Sequence, residues 1–281
     1  MRDVILHYHL FKNAGTSVDR MLRSSFGDDW QNFDKASPGA KISALEMQQF
    51  IEANPTLKAV SSHQIVPPLP TGNFRLWPVV FLRDPIDRLK SAWLFEWKKQ
   101  PGLKEPKGSL SDYLELKLTP GAGSVVSNFH VSRLSNSHYD AIRPMNRAHG
   151  LEKLDKAKSF VASLAWFGLV ERYDESMDIM AAQCGANFPD LVCRSFHENN
   201  LQDRSLSRID RVEAFRADIG EALFERVILH NQLDIQLYEY ACGLFDARHG
   251  QTLDATRSTA AARHSASNSA SNSNSASRVS V

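Results

Sequence analysis

Cysteine is scarce in this 281-residue chain. Cys184, Cys193 and Cys242 are an odd number without C-x-x-C spacing, which suggests neither a disulfide framework nor a zinc site. An excess of charge is also missing, since the formal net charge is +1. Residues 255–281 hold Arg257, Arg263 and Arg278 and no acid, which leaves −2 on residues 1–254. Proteins that bind nucleic acid or a membrane surface through their field carry a strong basic excess. Its absence confines any anion site to a local patch and speaks against a nucleic-acid partner. No apolar run approaches the roughly 20 residues of a membrane span, and the N-terminus reads as a strand rather than a signal peptide. There is no internal repeat. A soluble cytoplasmic protein is expected, long enough for one large domain with a sizeable core.

What is present begins with His9-Leu10-Phe11-Lys12-Asn13-Ala14-Gly15-Thr16-Ser17. It follows the apolar run Val4-Ile5-Leu6 and opens onto helical periodicity at Val18, Met21, Leu22 and Phe26. A strand that turns through small residues into a helix presents backbone N–H groups and the positive end of a helix dipole, a site suited to an anion. Lys12 adds a mobile cation, while Asn13, Ala14 and Gly15 let the backbone come close. The plainer alternative is a lysine in an ordinary strand–helix turn.

Two further stretches point to the same sheet edge. Leu57 to Val60 is a short strand candidate that delivers Ser61-Ser62-His63 to its carboxyl end, where open α/β sheets bind ligands. A histidine there is either a base or a structural hydrogen-bonder. The run Trp77 to Leu82 reads as a strand buried on both faces. After it, Asp84 is suited to an N-cap and Pro85 to the first helical position. That sets Arg83 at a strand tip and Ser91 about two turns along the helix, a plausible second phosphate site. Alternatively, Arg83 is paired with a carboxylate such as Asp87.

The remaining elements follow from local signals. Ser43 and Glu46 have capping-box spacing for a helix to about Glu52. Ser111 is expected to cap a helix ending near Leu118, and Pro120 to Gly123 to break it. Gln100 to Gly108 reads as a surface loop. Helices are expected around Leu151–Val161, over Tyr173–Cys184 and across Val212–Leu244, with a strand at Trp166–Val170. From residue 248 the composition turns to Ser, Ala and Asn, too poor in apolar bulk to offset ordering entropy. The expected division is a domain over 1–247 and a disordered tail over 248–281. Alternating strands and helices predict a three-layer α/β/α domain with a mainly parallel sheet.

The His9–Ser17 and Arg83–Ser91 stretches together resemble sulfotransferases that use 3′-phosphoadenosine 5′-phosphosulfate (PAPS). The likeness is to the branch that includes the uronyl 2-O-sulfotransferases and many bacterial sulfotransferase-family proteins. That family opens with H-x-P-K-x-A-G-T-S, matched by His9 to Ser17 with Phe11 in place of proline. Its second signature, R-D-P-x-x-R-x-x-S, is matched by Arg83, Asp84, Pro85, Arg88 and Ser91. Ser62-His63, Asn128 to Arg133, Trp166 to Ser176 and the N-x-x-D-x-x-L-Y pattern of Asn231 to Tyr238 are weaker likenesses. The resemblance implies a P-loop-like fold. It implies Lys12, Asn13, Ala14, Gly15, Thr16 and Ser17 on the 5′-phosphosulfate and Arg83 with Ser91 on the 3′-phosphate. It further implies His63 as base with Lys12 as the charge-stabilising catalytic cation, no metal, and an acceptor hydroxyl on a glycan or glycolipid.

Two other functions stand beside it. A nucleotide-dependent kinase would need G-x-x-x-x-G-K-[ST], whereas here Lys12 precedes Gly15. A non-catalytic nucleotide- or glycan-binding protein could keep the same scaffold.

Overall fold

The structure is a computed structural model that describes residues 1–98, 107–119, 125–137, 147–193 and 206–275. Its centre is β1 (Arg2–Tyr8), where Val4, Ile5 and Leu6 are fully buried. A strand buried on both faces belongs in the middle of a parallel sheet, and β1 lies there. It pairs in parallel with β3 (Ala59–Ser62) on one side and β4 (Phe74–Leu82) on the other. β2 (Trp30–Asn32) adds outside β3 and β5 (Gly168–Leu169) outside β4, giving the order β2-β3-β1-β4-β5. The chain first builds on one side of β1 and then on the other, so the strand order reverses there. Ligands in such sheets bind at this reversal, beyond the carboxyl ends of the strands.

Helices flank the sheet, and the fold is a three-layer α/β/α arrangement. α1 (Gly15–Phe26) follows β1 and stops at Gly27, whose φ of 55° is left-handed. α2 (Ala44–Ala53) has the expected capping box, with Ser43 and Glu46 satisfying each other's backbone N–H. α3 (Pro85–Trp93) starts where the sequence places it and then widens into a π turn over Leu94–Lys98. α7 (Tyr173–Cys184) has the predicted bounds.

Other elements differ from expectation for local reasons. α4 (Leu110–Lys117) is capped by Ser109, not Ser111, because only Ser109 has an acid three residues on: Asp112 closes the box. The strand expected over Trp166–Val170 shrinks to β5, since Val170–Arg172 already turn as a 3₁₀ helix. α5 (Phe129–Leu134) forms where no helix was expected, and α6 (Arg147–Ser163) follows. The expected 212–244 helix is two, α8 (Arg208–Ile219) and α9 (Glu221–Ser275), broken at Gly220 with φ 79°. The Pro120–Gly123 breaker and most of the Gln100–Gly108 loop lie outside the described residues.

Two compact units divide the chain, Met1–Ala241 and Cys242–Val281. Beside the sheet, a second apolar cluster gathers Leu89 and Trp93 of α3, Tyr113 and Leu114 of α4, Phe215 of α8 and Val227 of α9. Each such aliphatic side chain stabilises by roughly 1.5–3 kcal/mol on burial. Among the described residues no helix is long and apolar enough to cross a membrane.

Candidate functional site

The loop from His9 to Gly15 leaves the sheet at the reversal point. Its first N–H, on His9, bonds the Ser62 carbonyl at 2.9 Å and so extends the β1–β3 pairing by one rung. The backbone then turns tightly: Lys12 (φ 63°) and Ala14 (φ 61°) are both left-handed without being glycine. Such residues cost on the order of 1–3 kcal/mol each and persist where their surroundings over-determine them. Two contacts do so here. Arg83 Nη1 donates to the Lys12 carbonyl at 3.1 Å. The buried Asn13 side chain donates through Nδ2 to His130 Nε2 at 2.7 Å. His130 can accept because burial, aided by Arg88 and Arg83, holds its pKa well below the ordinary histidine value.

Ala14 ends the turn as the N-cap of α1 but has no side chain to cap it. The N–H groups of Ser17 and Val18 return to the Ala14 carbonyl, at 3.0 and 3.2 Å. Those of Gly15 and Thr16 precede any intrahelical acceptor. They point from the positive end of a twelve-residue helix. Gly15 is required for a steric reason, since a Cβ there would lie 2.0 Å from His9 Cδ2. Lys12 Nζ rests 4.5 Å from the centroid of Phe95.

On the neighbouring strand tip, Asp84 Oδ1 accepts the N–H groups of Ile86 and Asp87 at 2.9 and 3.1 Å, which fixes the start of α3. Arg83 stands just before this cap. Its guanidinium is paired geometrically with the loop carbonyl and electrostatically with Glu171, Asp87 and Asp84. The pairing with a carboxylate such as Asp87, one of the two sequence readings of Arg83, is therefore present as an electrostatic interaction. Asp84 also pairs with Arg208 Nε at 2.5 Å and Asp87 with Arg211 Nε at 2.7 Å. Burial pushes the Glu171 carboxyl upward, against bonds from Tyr238 and the Asp84 N–H and the charge of Arg83. Arg88 is fully buried, donates to the Val125 carbonyl at 2.6 Å and lies over the Phe129 ring. Ser91 is buried on α3, about 9 Å along the helix from Pro85.

His63 follows β3 and keeps 48% of its side chain exposed. Its Nδ1 lies 2.9 Å from Asp34 Oδ2, and its own N–H donates to Asp34 Oδ1 at 2.9 Å. Ser62 Oγ donates to the same oxygen at 2.9 Å. Burial would raise the Asp34 carboxyl, but bonds from His63, Asn32 and Ser62 outweigh it and hold the group at about 2. The His63 ring stacks on His9 with centroids 3.9 Å apart and planes 25° from parallel. His9 in turn stacks on His7 at 5.3 Å. Asp19 holds both rings, one oxygen to each Nδ1, at 2.7 Å. Burial lowers the His9 pKa, with the Asp19 bond opposing. Burial also acts to raise Asp19, but the His7 and His9 bonds overcome it and the carboxyl stays far below its usual range.

The donor atoms of His7, His9 and Asp19 lie within 4.8 Å of one another, close enough for a cation. Here they bond each other, and the set acts as an anchor for the His9 ring.

Of the predicted site residues, Lys12, Gly15, His63 and Arg83 are brought together at one sheet edge, while Ser91 lies about two turns along α3. Arg83 meets the loop at Lys12, and His63 meets it through His9, whose ring abuts Gly15. Asp19, Asp34, Arg208 and Arg211 escaped the sequence reading, and His130 entered it only within the Asn128 to Arg133 likeness. Asp19 lies on α1 and Asp34 between β2 and α2, and their partners are distant in sequence. Asp234 was read only as part of the N-x-x-D-x-x-L-Y likeness, without a role: it is fully buried and accepts the N–H groups of His130 and Val131 at 2.9 Å each, which makes it the acceptor for the start of α5. The N-x-x-D spacing of Asn231 and Asp234 was the available signal.

No family model matches this chain. It is 26% identical over 254 residues to an uncharacterized protein of Archaeoglobus fulgidus, a match covering 87% of this chain and 98% of the relative.

Proposed function

We propose that the chain is a sulfotransferase that moves the sulfuryl group of PAPS to an acceptor hydroxyl, on a carbohydrate or glycolipid, without a metal. The observation that carries this reading is the convergence of the His9–Ser17 loop, Arg83 and an exposed, carboxylate-anchored His63 at the point where the strand order reverses. The residues fit such a donor: a left-handed turn, a helix N-terminus and Lys12 form one anion cradle. Arg83 joins it to the strand tip from which Ser91's helix departs.

In this reading Gly15, Thr16 and Ser17 hold the 5′ end through their N–H groups and hydroxyls. Lys12 leaves the Phe95 ring to neutralise charge on the bridging and sulfuryl oxygens. Arg83 and Ser91 hold the 3′-phosphate. His63 takes the hydroxyl proton as the acceptor oxygen bonds to sulfur and the sulfur–oxygen bond to the phosphate breaks. Like phosphoryl transfer, the reaction asks for positioning and charge stabilisation rather than covalent help from the protein. The test is metal-independent binding of 3′-phosphoadenosine 5′-phosphate (PAP) in preference to ADP, followed by label transfer from PAPS to an acceptor panel.

A further inference from the structure

Asp34 touches His63 at two places at once. One oxygen takes the backbone N–H of His63 and the Ser62 hydroxyl, and the other faces the ring at Nδ1. A carboxylate is acceptor-only, so its neighbour on the ring must carry the hydrogen. A neutral imidazole has one N–H, and with Nδ1 occupied the lone pair resides on Nε2. The ring face is fixed independently by the stack on His9, which Asp19 holds and Gly15 abuts. Arg133 donates to the His63 carbonyl and ties down the backbone from the α5 side.

We propose that Asp34 is the positioning residue of His63: it fixes the Nδ1–H tautomer and leaves Nε2 as the only proton-accepting atom of an exposed ring. This role rests on the reading of His63 as the base in sulfuryl transfer. In that step the acceptor O–H proton moves to Nε2, its electron pair forms the new bond to sulfur, and PAP leaves with the pair of the broken bond. The imidazolium so formed faces an ionised Asp34. Asparagine keeps the shape of the side chain but offers an NH₂ donor, which favours the opposite tautomer.

The experiment is two-bond ¹⁵N–¹H correlation spectroscopy on ¹⁵N-histidine-labelled full-length protein at pH above the histidine range, with His63 assigned by its loss in His63→Ala. Wild type is expected to show a protonated Nδ1 and an unprotonated Nε2 for His63, and Asp34→Asn to move the hydrogen to Nε2. An Nε2–H tautomer in wild type overturns the proposal, as does an unchanged tautomer in Asp34→Asn. The wild-type spectrum alone decides if that variant does not fold. With PAPS and an acceptor, Asp34→Asn is expected to lose about 10²–10⁴-fold in kcat, the usual worth of a positioned base, with the KM for PAPS unchanged and partial rescue by Asp34→Glu. A wild type that turns over no PAPS refutes the sulfotransferase reading, while the tautomer result still decides the assignment of Asp34.

Discussion

Replacing Gly15 by alanine tests the packing that joins loop, ring and base. A Cβ at this position would meet His9 Cδ2 at 2.0 Å, Nε2 at 2.3 Å and Cγ at 2.7 Å. The ring cannot simply swing away, because Asp19 holds its Nδ1 at 2.7 Å and the His7 and His63 imidazoles stack on it. Alanine is the better helix former by about 1 kcal/mol, so propensity alone predicts stabilisation. Against it stand about 1–3 kcal/mol for overpacking and about 1.5–3 kcal/mol for a lost hydrogen bond to a charged group. The net is a loss of about 1.5–5 kcal/mol. At a slope near 3 kcal/mol/M, a 3 kcal/mol loss lowers the urea midpoint by about 1 M. The same substitution in a His9→Ala background has no ring to strike, so the penalty should vanish and leave a coupling energy above about 1 kcal/mol. A Gly15→Ala protein as stable as wild type, or equally destabilised without the His9 ring, refutes this reasoning.

Two further outcomes are expected. His63→Ala should abolish sulfuryl transfer while PAP affinity stays within about threefold of wild type, because the ring meets the loop at the His9 ring and not through a bond to Lys12 or Arg83 among the described residues; retained turnover removes His63 from the mechanism. The folded chain holds the Asp34 carboxyl at about 2 against 3.8 ordinarily. The unfolded chain therefore binds more protons in that window, and the Asp34 contribution is full above about pH 4 and lost as pH falls toward 2. The urea-midpoint difference between wild type and Asp34→Asn should accordingly shrink from pH 5 to pH 2.5, and a constant difference contradicts the assignment.

Where structure follows from neighbouring residues, the sequence was legible. Val4-Ile5-Leu6 declared a strand, Trp77–Leu82 a buried parallel one, and Asp84-Pro85 the start of α3, because each signal sits inside its own element. β2 is three residues at the sheet edge, too short to show a period. α5 was hidden because its polar residues His130 and Arg133 are buried against partners far along the chain. His130 meets Asn13 and Asp234, and Arg133 meets the His63 carbonyl. The site divides the same way. Lys12 to Ser17, His63 and Arg83 were read as candidates from strand ends and small residues. Asp19 and Asp34 were not, since a carboxylate that anchors a histidine is known only once the fold brings the two together. Phe11, standing where the resembled family has proline, packs edge-on against Phe95, the ring on which Lys12 rests.

The central claim is that the loop and the Arg83 strand tip together hold a donor phosphorylated at two separated places. Calorimetric titration of the full chain with PAP and with ADP, both in EDTA, tests it most directly. The account predicts PAP binding at least about tenfold tighter than ADP, some 1.4 kcal/mol, with affinity for both lost in Lys12→Ala. Equal or tighter ADP binding, a requirement for magnesium, or no binding of PAP would contradict it.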